Sequence, residues 1–109
     1  MTHGMRPDLE VAISYGRRGE STVRLRGELD IASTARVRRL LDALLDEGAR
    51  IAVDLSRLSF VDLPGVRMLV EVADHAAGRG CPLQLTGVTG QVARVFELTS
   101  ARSALPLAA

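Results

Sequence analysis

The sequence predicts an α/β domain in which a mixed sheet of four or five strands carries helices packed on one face. Three observations predict it. The apolar pattern alternates between a period of two and a helical period, in the order β-β-α-β-α-β-α. Glycine, proline or a hydroxyl residue marks most of the joins. The chain has 109 residues, 47% of them hydrophobic and only 3% aromatic, which suits one small domain, residues 1–109, with an aliphatic core. The core is expected over about residues 9–100 and a loose start over 1–7.

The first strand is "LEVAISY", where Leu9, Val11, Ile13 and Tyr15 alternate with polar or small residues. "GRRGES" supplies a turn, and "TVRLRGEL" alternates again through Val23 and Leu25, so the two segments form a hairpin with a loop longer than the commonest type. From Ser33 the period changes. Val37, Leu40, Leu41, Leu44 and Leu45 make one helical stripe, Ser33 or Thr34 is placed to cap its start, and Gly48 to end it in the left-handed conformation. Arg36, Arg38, Arg39, Asp42 and Asp46 fall mostly on the opposite, solvated face.

"RIAVDLSRLSFVD" returns to strand chemistry, with Ile51, Val53 and Leu55 on one side of an interior strand. Pro64 then stands at the start of a second helix, where a missing N–H costs nothing. Val66, Leu69, Val70, Ala73, Ala76 and Ala77 line its stripe, and Gly78 and Gly80 close it. "PLQLTG" is a short strand, Thr89 is a candidate cap for a last helix bearing Val92, Val95 and Phe96, and the tail is expected either to hold a short strand around Ala104 to Leu107 or to fray. Helices between successive strands make those strands parallel through right-handed crossovers, while the hairpin adds an antiparallel pair.

Composition narrows the function. With 14 basic and 13 acidic residues, the net charge of +1 gives no electrostatic case for nucleic acid or an anionic membrane. Cys81 is the only cysteine, and His3 and His75 are far apart, so neither an internal disulfide nor a metal site of His and Cys ligands is expected. No cofactor motif is present: "GVTGQV" lacks the spacing of a phosphate-binding loop. No apolar run is long enough to span a bilayer, and the first ten residues lack the apolar centre of a signal peptide, so a cytoplasmic protein is expected.

Candidate chemistry is sparse. Glu28 and Asp30 stand two apart at a strand end, and Asp54 and Asp62 lie in and after the next strand. Paired carboxylates do acid–base work only in a pocket that shifts their pKa values, and the simpler assignment is a capping or turn aspartate at Asp30 and a solvated Glu28. There is no nucleophile elbow, and no histidine lies near Cys81 in sequence. The helix start after Asp62 is the remaining site. Free N–H groups and the positive end of the helix dipole make it a place where a phosphoryl group would be stabilised, yet the residues there are Leu63 and Pro64.

"VRLRGELDIASTARVRRLL" and "IAVDLSRLSFVDLPGVRMLVEV" resemble the STAS domain of anti-sigma factor antagonists. The resemblance rests on the G-E-L-D element (Gly27 to Asp30) with Thr34-Ala35, on the V-D-L-S strand (Val53 to Ser56) and on the F-V-D-x-x-G turn (Phe60 to Gly65), in consistent order over about residues 9–100. It implies a non-catalytic partner switch. Family members bind an anti-sigma factor, usually a serine kinase of the histidine-kinase-like ATPase fold, and are released when the kinase phosphorylates the residue after the turn aspartate.

Carried over, Asp62 matches the turn aspartate, Gly65 the turn glycine and Leu63 the phosphoacceptor position. The resemblance therefore implies a partner-binding surface made of Glu28, Asp30, Ser33, Thr34, Asp62, Leu63, Pro64, Gly65, Val66 and Arg67. Leu63 cannot be phosphorylated, so the usual switch is not expected at this position. Leu63 is expected either to anchor a contact or to pack inward. A homodimer is compatible with this family. The alternative it offers is an accessory subunit of a lipid-transport ATPase or of a stress-signalling scaffold.

Overall fold

The computed structural model describes residues 8–99 and 106. In chain order the elements are β1 (Leu9–Tyr15), β2 (Glu20–Leu29), α1 (Ile31–Asp46), β3 (Arg50–Val61), α2 (Leu63–Gly78), β4 (Gln84–Thr86) and α3 (Gly90–Leu98). Among the described residues they form a four-stranded mixed sheet in the order β1-β2-β3-β4. β1 runs antiparallel to β2, and β2, β3 and β4 run parallel. This is the expected fold class, with β3 as the expected interior strand.

One face of the sheet is apolar. Val23, Val53 and Leu85 share one level across three strands, and all are buried. The helices bury their stripes against that face: Val37, Leu41, Leu44 and Leu45 from α1, Val66, Met68, Leu69, Val72, Ala73 and Ala76 from α2, and Val92 and Phe96 from α3. Burial of such side chains is worth about 1.5–3 kcal/mol each before conformational entropy is subtracted. The α2 stripe is wider than expected, since Met68 and Val72 join it, while Ala77 is exposed.

The helix ends differ from expectation in two places. Helix α1 begins at Ile31, not after Ser33 or Thr34, because Asp30 is already extended (φ −129°, ψ −176°) and caps it. Ser33 and Thr34 fall inside the first turn. Helix α2 begins at Leu63, so Pro64 takes the second position rather than the first. That position also lacks an intrahelical acceptor for its N–H, so the proline still costs nothing. Gly48 does adopt the expected left-handed conformation, with φ 78°, beyond the end of α1. Thr89 is the N-cap residue of α3, although its side chain makes no capping hydrogen bond.

Strand β3 is less regular than its alternation suggests. Between Arg24↔Asp54 and Arg26↔Arg57 it advances three residues while β2 advances two, and it gains another between Gly27↔Leu58 and Glu28↔Phe60. These two bulges move the buried positions from Ile51, Val53 and Leu55 to Leu58 and Val61, leaving Phe60 partly exposed. Ser59, the extra residue of the second bulge, donates its hydroxyl to Gly27 O at 3.0 Å.

The other face of the sheet is polar. Arg24 lies 3.7 Å from Asp54 and Arg26 lies 3.7 Å from Glu10. The backbone N–H of Ser56, 2.9 Å from Asp54 Oδ1, together with the Ser56 hydroxyl, holds the Asp54 carboxyl below its ordinary range. Burial opposes that shift, and Arg24 and Arg57 add to it. A depressed folded-state pKa stabilises the fold above the unfolded carboxylate's range, and the benefit disappears as pH falls through the folded value. Asp54→Asn is therefore expected to lower stability at pH 7, with wild type and variant converging in acid. Urea midpoints measured from pH 7 down to pH 2 check this, and a gap that stays constant would refute it.

The expected loose start, residues 1–7, lies outside the described residues, as does the expected tail strand except for Pro106. The carbonyl of Pro106 accepts a hydrogen bond from Leu85 N–H at 2.9 Å, on β4.

Candidate functional site

The ends of β2 and β3 build the site. Leu29 and Val61 are paired and buried, and the next residue in each chain segment is an aspartate that caps a helix. Asp30 Oδ1 accepts the Ala32 N–H at 3.0 Å. Its own N–H donates to Ser33 Oγ at 3.1 Å, which completes a capping box. Thr34 Oγ1 donates to Asp30 O at 2.7 Å.

Asp62 does more than cap its own helix. Oδ1 accepts the Gly65 N–H at 2.9 Å, and Oδ2 accepts the Ile31 N–H at 3.1 Å. One carboxylate thus joins the first turns of α1 and α2. Farther along, the helices stay parallel and in step. Arg38 pairs with Glu71, Asp42 lies 3.6 Å from His75, and Asp46 lies 2.9 Å from Arg79, each pair one helical turn beyond the last. Exposed pairs of this kind each contribute little. Their regular spacing records how closely α1 follows α2.

Three sequence-predicted residues are small or buried for structural reasons. A Cβ on Gly65 would stand 2.9 Å from Val61 Cγ2 and 3.0 Å from Leu29 O, so only glycine lets the start of α2 sit this close to both strand ends. Val66 and Ser33 are buried too, and support the surface from beneath. The surface itself is made by Glu28, Leu63 and Arg67, which are exposed, and by Asp30, Thr34, Asp62 and Pro64, which are half-buried. Leu63 does not pack inward: it is 45% exposed.

Sequence reasoning missed Ile31, the first residue of α1, which is 76% exposed, and it missed the second bond of Asp62. A signal for the former was present. "LDI" and "VDL" are the same pattern, a buried strand-end residue, a capping aspartate and an aliphatic residue, in two places. No sequence signal announces a bond between groups 31 residues apart.

The electrostatics of the site are acidic on the α1 side. Carboxylate oxygens of Asp8, Glu28 and Asp30 lie within 4.8 Å of one another. Exposed acidic groups commonly gather like this without an ion. Arg36 lies along the same shallow depression, but its guanidinium donates to Leu9 O at 2.7 Å. Of the helix-start N–H groups that would hold an anion, those of Ile31, Ala32 and Gly65 are already engaged by the Asp30 and Asp62 carboxylates.

A family model described as "Mlab, STAS domain" matches residues 13–106, the greater part of the chain. The chain belongs to the STAS-domain family. Among curated relatives of this STAS domain, an anti-sigma-B factor antagonist of Bacillus subtilis (strain 168) is 25% identical over 87 residues, covering 80% of each chain. An anti-sigma-B factor antagonist of Staphylococcus aureus (strain NCTC 8325 / PS 47) is 28% identical over 78 residues, covering 71% of this chain and 72% of its own. The crystal structure of an anti-sigma factor antagonist from Mycobacterium paratuberculosis matches with a TM-score of 0.79 at 20% identity, over 94% of this chain and 87% of that one. At that identity the likeness is one of fold. Among the described residues, no helix is long and apolar enough to cross a membrane.

Proposed function

We propose that this STAS domain is an antagonist-type binding module, not an enzyme. It docks the Glu28–Asp30 loop and the Asp62–Arg67 helix start against an anti-sigma factor, a cytoplasmic serine kinase of the histidine-kinase-like ATPase fold. The observation that carries the reading is Leu63, an exposed aliphatic side chain at the first position of α2, directly after the capping Asp62. A hydroxyl there would stand at the positive end of a helix, on the surface where a partner sits, and adding nearly two charges would end the contact. Leucine removes that chemistry. Binding is accordingly constitutive with respect to phosphorylation at this position.

Co-purification with candidate kinase-like anti-sigma factors in the presence of ATP tests this. Wild type is expected to stay bound through prolonged incubation. Leu63→Ser is expected to take up phosphate and then lose affinity at least tenfold. Absence of binding to every such factor, with or without nucleotide, would overturn the reading. Binding by Leu63→Ser that persists without phosphorylation would show that kinase recognition differs beyond this residue.

A second reading is supported by the description of the matching family model, which names Mlab rather than an antagonist. In it the domain is an accessory subunit of a lipid-transport ATPase or of a stress-signalling scaffold, neither of which requires a phosphoacceptor. The same co-purification, run with the ATPase subunit of such a transporter, separates the two.

A further inference from the structure

The paired strand ends produce a paired surface feature. Leu29 and Val61 are side by side in the sheet, the capping aspartates follow, and Ile31 and Leu63 are the first residues of α1 and α2. Asp62 Oδ2 lies 3.1 Å from Ile31 N, so the two helix starts are adjacent. Both aliphatic side chains face solvent, at 76% and 45% exposure. A first helical turn is ordinarily polar or acidic, and neither α1 nor α2 carries an acidic residue there. Two exposed aliphatic residues at two adjoining helix starts form an apolar patch with no covering element among the described residues.

The rim of the patch decides what can cover it. On the α1 side stand the Asp8, Glu28 and Asp30 carboxylates. Asp8 and Glu28 have no side-chain ion pair or hydrogen bond among the described residues, and Arg36, close to Asp8 and Asp30, donates to a backbone carbonyl. An anionic occupant would meet these charges and would find the helix N–H groups of Ile31, Ala32 and Gly65 already taken by Asp30 and Asp62. A cation beside an apolar surface meets neither obstacle.

We propose that Ile31 and Leu63 together enter an apolar recess on a protein partner whose rim carries an arginine or lysine facing Asp8, Glu28 and Asp30. The inference rests on the binding-module reading and specifies its contact: Ile31 is a second anchor beside Leu63, and the partner is apolar at the centre and basic on one flank. Charge on that flank orients the partner, and the aliphatic pair supplies the desolvated centre.

The surface can be tested without knowing the partner. Hexylguanidinium joins an alkyl chain to a guanidinium, the chemistry proposed for the partner. Titrated into the 15N-labelled domain, it is expected to give saturable shifts at the amides of Ile31 and Leu63, at concentrations several-fold lower than hexanol or guanidinium alone. The Ile31→Ala/Leu63→Ala double variant is expected to abolish them, while Leu98→Ala, which removes another exposed aliphatic side chain, leaves them unchanged. Shifts that do not saturate at Ile31 and Leu63 overturn the proposal, whatever anti-sigma factors do.

With an anti-sigma factor that binds wild type, the double alanine variant, which creates no phosphoacceptor, is expected to weaken binding at least 30-fold, and unchanged affinity overturns the proposal. If no anti-sigma factor binds wild type but hexylguanidinium maps to the pair, the antagonist reading falls and the surface stands. A wild-type dimer that is lost in the double variant would assign the patch to a second copy instead and overturn the heterologous contact.

Discussion

Asp62→Ala is expected to destabilise the domain by about 2–3 kcal/mol, more than an ordinary lost helix cap, which costs about 1 kcal/mol. The reason is the double duty of one carboxylate. Oδ1 satisfies Gly65 N–H in the partly buried first turn of α2, and Oδ2 satisfies Ile31 N–H at the start of α1. Alanine frees both donors. Water can reach Ile31 N–H, so its share is the smaller, while Gly65 N–H lies closer to the packed strand ends. Asp62→Asn separates the two roles, because an amide has one acceptor oxygen and can serve only one of the N–H groups. Its loss should fall about midway. Urea unfolding with an unchanged slope reads both values. A loss below about 0.5 kcal/mol for alanine would mean that solvent replaces both bonds and that the helix starts are held by packing alone.

Gly27→Ala is expected to be at least as damaging, at about 3–5 kcal/mol, from two separate terms. Gly27 has φ 109°, a conformation an L side chain rarely adopts. Its Cβ would also be driven into the backbone carbonyl of Asp8, the group that accepts Glu28 N–H at 2.9 Å. The start of β1 would have to move, and with it the Asp8 and Glu28 carboxylates at the edge of the site. Gly80→Ala is the control: Gly80 has φ 75° but nothing within 4 Å of its would-be Cβ, so it reports the backbone term alone, about 1–2 kcal/mol. A Gly27→Ala loss no larger than that of Gly80→Ala would show that β1 yields freely to the added methyl group.

Much of the fold was legible because its causes are local. Periodicity placed the seven elements found among the described residues in order, and the aliphatic stripe of Val37, Leu41, Leu44 and Leu45 was readable as a helix face and is buried as one. Helix starts were harder. Asp30, Ser33 and Thr34 all carry capping side chains in one short run, so the sequence permitted several starts. Tertiary context chose Asp30, since β2 delivers it beside Asp62 at the sheet end.

The site divides the same way. The motif positions at Asp30, Asp62 and Gly65 were visible as residues, and the missing hydroxyl at Leu63 could be read directly. Whether Leu63 faced in or out depended on where Val61 pointed, and that depends on the two bulges in β3. A bulge is a mismatch between two strands, so neither strand's own sequence declares it.

By itself, then, the sequence determined the order of elements, the main apolar stripes they bury and the absence of a hydroxyl at Leu63, because each of these depends on residues within a turn or two of one another. Tertiary structure alone decided the strand register, the bond from Ile31 to Asp62 and the joint exposure of Ile31 and Leu63. Those depend on which distant residues become neighbours, and only the closing of β2 against β3 brings the two helix starts together.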